Sequence, residues 1–283
     1  MLKSALWMSG WLATMVTMAI AGREAALGID AFQVMELRAV IGLILLSPLV
    51  FAAGGFSAMK TANLGAHIVR NVIHYTAQYG WLVAVTLIPL AQVVAIEFTM
   101  PIWTAILAVL FLGETMNRWK VFAIVLGLIG VWVIVRPEGG GGAALQGQLL
   151  ALAAAVGFGI SVVLIKSLTR TNSVTQVIFW MLVIQGVIGL VPAILVWQPV
   201  PMAVWPWVIV VAFVGTFSHF CLAQALRYAD ATIVVPLDFL RVPLTAVAAY
   251  LFYKEAIDAF TVIGAVLILS GNLLNLKKPA KAA

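Results

Sequence analysis

Long apolar runs separated by short polar breaks make up this chain from end to end. A helix needs roughly 20 apolar residues to cross the hydrocarbon of a bilayer. Ten such runs can be read, near residues 4–22, 32–53, 66–88, 90–112, 119–136, 147–168, 174–197, 204–227, 231–253 and 257–276. Some connections are no longer than a turn. Ile88-Pro89-Leu90 separates the third and fourth runs, and Tyr228-Ala229-Asp230 the eighth and ninth. Pro89 suits a break, because proline disfavours helix in the residue before it and has no N–H to donate. The pattern predicts an all-α polytopic membrane protein of ten transmembrane helices.

The first run has a second reading. Lys3, the apolar stretch and Ala19-Ile20-Ala21 resemble a signal peptide with its cleavage site. Cleavage would leave nine runs and break the repeat described next, so a retained span is expected.

The second half repeats the first. A shift of 141 positions takes Phe98 to Phe239, Thr104 to Thr245, Leu110-Phe111 to Leu251-Phe252, Glu114 to Glu255, Val125-Leu126 to Val266-Leu267 and Gly130 to Gly271. Glu97 lands on Asp238, so an acid inside one run meets an acid inside another. Duplication with charge at a matched position is a mark of secondary transporters. The expected organisation is a first five-helix repeat over 1–138, a Gly-rich linker over 139–146, a second repeat over 147–276 and a basic tail over 277–283. Five is odd, so the second repeat is expected to lie inverted relative to the first.

Composition narrows the classes. Hydrophobic residues make up 64% of the 283 and charged residues 9%, whereas soluble domains run near 25% charged. Too few polar residues are present to cover a water-soluble globule. The formal charge of +6 is spread thinly, with only Lys277-Lys278 and Lys281 clustered, which argues against nucleic acid as a partner. One cysteine, Cys221, permits no internal disulfide and no thiolate metal cluster, and reads as a small buried hydrophobe. Lys and Arg also set orientation. With the N-terminus inside, ten basic residues fall on the inner side, against Arg23, Arg136 and Lys254 outside. Both termini are therefore expected in the cytoplasm of a bacterial cell, with the chain in the inner membrane.

The segment Leu90-Ala91-Gln92 through Glu97-Phe98-Thr99-Met100-Pro101, then Leu112-Gly113-Glu114 and a glycine-bearing run, resembles the EamA-type domain of the drug/metabolite transporter superfamily. Pro236 through Pro243 to Glu255, then Gly264 and Gly271, resembles it more loosely, with Lys254-Glu255 in place of Gly113-Glu114. The resemblance covers nearly the whole chain. It implies a ten-helix carrier with a central cavity between inverted halves, lined mainly by the third, fourth, eighth and ninth spans. Family members export amino acids and other small metabolites, and some import riboflavin or S-adenosylmethionine.

Six charges fall within runs: Glu36, Arg38, Arg70, Glu97, Asp238 and Arg241. Each costs roughly 2.5–3.5 kcal/mol at the bilayer centre on insertion scales, so they should face inward and pair. Arg38 and Glu97 are expected about 10 Å below the outer edge at 1.5 Å per residue. Arg70 and Asp238 are expected in the inner half, with Arg241 nearer the midplane. Depth therefore predicts an outer Arg38–Glu97 pair and an inner Arg70–Asp238 pair, acting as alternating gates, as solute contacts or as static packing.

His74, Gln78 and Trp81 share one face of the third run, with Tyr75 and Tyr79 beside it. The 141 shift takes Gln78 to His219. These residues and Trp103 are candidate pathway contacts for an amphipathic solute, with cation–π contact to an amine as one option. The bland alternative is core packing, and Trp103 leans that way. Pro101, Pro236 and Pro243 interrupt the fourth and ninth runs and read as hinges. Glu114 and Glu255 precede the next run and are expected to meet the positive end of the following helix.

Enzyme chemistry is not expected. No phosphate-binding glycine loop with a lysine is present, His67, His74 and His219 lack metal-ligand spacing, and no nucleophile–base set stands out. No cofactor and no metal are expected. The reading is a secondary transporter working by alternating access on small organic metabolites, with export of amino acids, aromatic ones among them, preferred. Import of riboflavin or S-adenosylmethionine is the alternative, and a channel or scaffold the reading from another class. Coupling to protons through Glu97, Asp238, His74 or His219 and facilitated diffusion both stand open, as do monomer and homodimer.

Overall fold

The computed structural model describes residues 2–112, 118–135, 142–169, 171–228, 238 and 240–275. Every regular element among them is helical. The order is α1 (Leu2–Gly28), α2 (Ala31–Ala52), a 3-10 turn (Gly55–Met59), α3 (Leu64–Leu87), α4 (Leu90–Glu97), α5 (Met100–Leu112), α6 (Arg118–Val135), α7 (Gly142–Leu168), α8 (Val174–Leu195), α9 (Trp205–Tyr228), α10 (Arg241–Tyr253) and α11 (Ala259–Asn275). The fourth expected run is split into α4 and α5. Residues 142–146, expected as linker, already belong to α7. Glu114, Pro236, Gly139 and the tail 277–283 lie outside the described residues.

Boundaries repeat with the same offset as the side chains. Both ends of α3 and α9 are 141 apart, as are both ends of α5 and α10 and the starts of α6 and α11. Local chemistry explains several starts. Asp30 accepts the Phe32 N–H at 2.8 Å before α2. Ser173 and Gln176 form a reciprocal capping box at α8. Asp258 accepts from the Phe260 and Thr261 N–H groups ahead of α11.

The bundle sets polar groups within a largely hydrophobic interior and turns apolar side chains outward. Gln33, Glu36, Arg38, Arg70, Asn71, Gln78, Glu97 and Arg241 are buried, while Ile44, Phe51, Phe122, Trp132, Leu195 and Phe252 are exposed. An outward apolar belt of this kind costs nothing in hydrocarbon and roughly 25 cal/mol per Å² in water. By length and composition, three helical stretches can cross a membrane, Ala31–Ala52, Gly142–Ile165 and Val174–Leu195, with shorter apolar stretches at Leu90–Thr104, Ile124–Ile134, Trp205–Cys221 and Ala259–Leu274. Interior polar residues interrupt the apolar runs elsewhere: α3 alone buries His67, Arg70, Asn71 and Gln78.

Small residues set the helix contacts. A Cβ added at Gly130 on α6 would lie 2.7 Å from the Gly264 carbonyl oxygen on α11. On α7, Gly157 faces Ala77 of α3, and Gly159 lies against the Trp103 Cβ of α5. Gly10 of α1 faces Cys221 of α9, which makes that buried cysteine a packing residue as expected. The close approaches of the α7 glycines are within one chain.

Candidate functional site

The break between α4 and α5 positions the first charged group. Pro101 has no N–H for the Glu97 carbonyl, so the helix stops at Glu97 and restarts at Met100. The Phe98 carbonyl instead accepts the Asn272 side-chain amide at 2.7 Å. Glu97 is left at the end of α4 and accepts the Trp81 indole N–H at 2.8 Å. Arg241, the first residue of α10, donates to Glu97 at 2.8 Å and to Asp238 at 3.4 Å. Its guanidinium lies 4.7 Å from the centre of the Phe98 ring. Asp238 also accepts the Trp11 indole N–H, at 2.6 Å. Two acids share one cation, which leaves a surplus of one negative charge held by two indole donors.

This differs from the pairing that depth suggests. Glu97 meets Arg241 rather than Arg38, and Asp238 meets Arg241 rather than Arg70. Depth gives height within the bundle but not the direction a helix face turns. α4 packs on α10, whereas α2 packs on α8 and α9.

Among the described residues Arg38 and Arg70 form no ion pair with either acid. Arg38 is buried, its Nε has no hydrogen-bond partner, and it lies against α9, where a Cβ added at Gly215 would sit 2.8 Å from that nitrogen. Arg70 donates from Nε to Ser161 of α7 at 3.0 Å and from Nη1 to Asn71 at 2.7 Å. The His74 ring meets Phe158 edge-on at 5.4 Å.

The aromatic stripe of α3 faces α2 and α8. Tyr79 stacks on Phe32 at 4.2 Å, and Tyr75 lies parallel to the same ring at 6.5 Å. The Tyr75 hydroxyl and Glu36 Oε2 converge over Gly189 of α8, where an added Cβ would meet them at 2.8 and 2.7 Å. Neither atom has a hydrogen-bond partner, nor does Gln78 Oε1. Trp103 stands apart, with its indole N–H on Thr99 at 3.0 Å and its Cβ against Gly159, a packing position.

Pro243 sits in the first turn of α10, as Pro101 does in the first turn of α5. One further expectation changes: Glu255 does not serve the helix that follows it. It pairs with Arg23 of α1 and accepts the Leu90 N–H at 3.1 Å, capping α4 in the other half of the chain. Sequence reading missed Trp11, Ser161 and Asn272. Asn272 had a visible signal, as a lone amide in an apolar run; Trp11 and Ser161 had none.

The EamA-like transporter family model matches residues 2–136 and again 145–277. An S-adenosylmethionine uptake transporter of Rickettsia prowazekii is 28% identical over 87% of this chain and 82% of its own length. A riboflavin transporter of Rhizobium johnstonii is 30% identical over 77% and 72%, and a pseudopaline exporter of Pseudomonas aeruginosa 26% identical over 87% and 86%. A protein of known crystal structure, 17% identical, shares the fold over 96% of both chains with a TM-score of 0.66. The chain belongs to the EamA-like transporter family, a group of membrane-embedded secondary transporters within the drug/metabolite transporter superfamily.

Proposed function

We propose that this protein moves an amino acid, or a metabolite with an amino-acid head, across the bacterial inner membrane by alternating access between two inverted halves, 1–138 and 147–276. The observation that carries the reading is the Arg241 bridge. A cation from the second half neutralises an acid of the first where α4 ends and α10 begins. Fixed packing has little need of such a bridge, since apolar replacements of buried ion pairs are often as stable. A bridge that can exchange partners lets one half rock against the other.

The helix contacts support the two-half arrangement. Exchanging the halves maps the α1–α9 contact onto the α3–α7 contact, and maps α2–α8 and α6–α11 onto themselves. With five spans per half, such an exchange relates inverted units. Pro101 and Pro243, each near the start of a restarting segment, are the hinge positions in this account, with Pro236 assigned by sequence alone. Both termini lie in the cytoplasm, by the distribution of Lys and Arg.

The surplus negative charge of Glu97 and Asp238 suits an amine, and Tyr75, Tyr79, Trp81 and Phe98 offer faces to an apolar or aromatic side chain. S-adenosylmethionine carries the same amino-acid head on a larger body, so the uptake transporters among the relatives favour a second reading, import of that nutrient. The riboflavin transporters share only the ring requirement. Direction and proton coupling are read from the same experiment: flux of labelled aromatic amino acids, S-adenosylmethionine and riboflavin in proteoliposomes, with and without a pH gradient. Saturable flux of a solute with an amino-acid head is expected. Riboflavin flux alone would overturn this substrate assignment.

A further inference from the structure

We infer that Glu36 and Tyr75, next to the rings of Phe32 and Tyr79, form a buried subsite that takes the ammonium group of the transported solute. The inference rests on the carrier reading for the word solute, and on geometry for the rest. The group draws on α2, α3 and α8, and shares only α3 with the Arg241 network, through Trp81.

Two layers lie between α2 and α3. Phe32 and Glu36 stand one turn apart on α2, and Tyr79 and Tyr75 one turn apart on α3. In the first layer the half-buried rings of Phe32 and Tyr79 stack at 4.2 Å. In the second, Glu36 and Tyr75 are 6% and 5% exposed. Glu36 Oε2 and the Tyr75 hydroxyl lie 2.7 and 2.8 Å from one point, the place a Cβ would take on Gly189 of α8. The two oxygens are therefore no further apart than those distances taken together. No hydrogen bond joins them, and neither has another partner. Among the described residues no Lys, Arg or His forms an ion pair with Glu36. The nearest bases along the chain turn elsewhere, Arg38 against Gly215 of α9 and His74 against Phe158 of α7.

A buried carboxylate without a cation is costly, and an unbonded hydroxyl beside it adds to the cost. Packing of α2 and α3 on the bare backbone of α8 would need neither group. Ammonium N–H groups bond charged oxygens at about 2.7–2.9 Å, so one nitrogen can reach both oxygens across a gap of that size. It also brings the positive charge that Glu36 lacks, whereas Glu97 and Asp238 already share Arg241. Two oxygens fall far short of the six or more ligands that Ca2+ or Mg2+ takes. The rings one turn away supply the wall that an organic cation prefers.

The test is thermal unfolding of the purified full chain in neutral-lipid nanodiscs at constant ionic strength. The probe is benzylammonium chloride, with sodium chloride and the neutral benzyl alcohol as controls. The unfolding midpoint is expected to rise saturably with benzylammonium and with neither control. Glu36→Gln is expected to abolish the rise while leaving the ligand-free midpoint equal or higher, because an unpaired buried acid has gone. Two further variants read the site without touching the acid. Tyr75→Phe, which removes one acceptor, should weaken the apparent affinity about fivefold. Tyr79→Leu, which removes a ring, should weaken it about tenfold. A rise that persists in Glu36→Gln, an equal rise with either control, unchanged affinity in both tyrosine variants, or no rise at all would overturn the subsite. Proteoliposome flux separates the two claims. Wild-type flux and half-saturation retained by Glu36→Gln remove the subsite and leave the carrier. A Glu36-dependent rise in a protein that moves nothing keeps the subsite and removes the carrier.

Discussion

Arg241 and Glu97 meet at 2.8 Å although 144 residues separate them in the chain. One opens α10 and the other closes α4, so the contact joins the ends of two helical segments from different halves. Asp238, the indoles of Trp11 and Trp81, and the Phe98 ring surround the pair.

Removing the shared cation strands one buried acid, Glu97, and one part-buried acid, Asp238. Arg241→Met is expected to destabilise the protein by about 3–5 kcal/mol, the usual cost of leaving a buried charge without its partner. Glu97→Gln keeps an acceptor for Trp81 and should cost less. In the double variant Arg241→Met/Glu97→Gln part of the loss should be regained, because the two positions are coupled by roughly 0.5–3 kcal/mol. Unfolding of the four proteins in one detergent measures this; simple additivity would show that the bridge is incidental.

The Gly130–Gly264 crossing leaves no room for a side chain. Gly130→Val would drive its Cβ toward the Gly264 carbonyl and Ile268. The expected cost is roughly 1–3 kcal/mol from overpacking between rigid helices. Gly65, where an added Cβ meets nothing within 4 Å, is the control and should tolerate Ala. Equal melting temperatures for Gly130→Val and Gly65→Ala would count against the tight crossing.

Glu255 ties three elements together, through Arg23 on α1, the α4 N-terminus and its own segment after α10. Glu255→Gln should cost about 1 kcal/mol, combining a weakened cap with a lost, partly exposed ion pair. Hydrogen exchange is expected to rise locally, at the amides of Leu90 to Val93. Exchange that rises evenly along all helices would contradict a cap at that point.

Tyr75 separates stability from function. Its hydroxyl is buried beside Glu36 without a partner. Tyr75→Phe should therefore be neutral, or stabilising by up to about 1 kcal/mol, since an unsatisfied buried polar atom carries a penalty. If the hydroxyl touches solute, the half-saturation concentration rises. A variant that melts several degrees lower would show that the hydroxyl has a structural partner.

Much of the architecture was legible because the bilayer writes it into composition. Apolar runs mark helices, Pro89 and Pro101 mark breaks, and the 141 offset reappears in the ends of α3 and α9. Glu97, Asp238 and Arg241 were visible as charges where charge is costly. Their partners were not. Counting residues from the span edges put Glu97 in the outer half and Asp238 in the inner half, yet one guanidinium bonds both, and α2 and α4 pack on different neighbours, so Arg38 does not pair with Glu97. Glu255 shows the same limit: its position after α10 suggested the next helix, whereas the chain folds it onto α4.

The central claim is a carrier whose two halves exchange access around the Arg241 bridge. Counterflow tests it most directly: labelled solute outside proteoliposomes, with the unlabelled solute in excess on either the same side or the opposite side. The account predicts that unlabelled solute on the opposite side accelerates uptake in the wild type, and that Glu97→Gln and Asp238→Asn, folded by the same thermal criterion, lose the acceleration. Uptake that ignores solute on the far side, or acceleration unchanged in both variants, would contradict it.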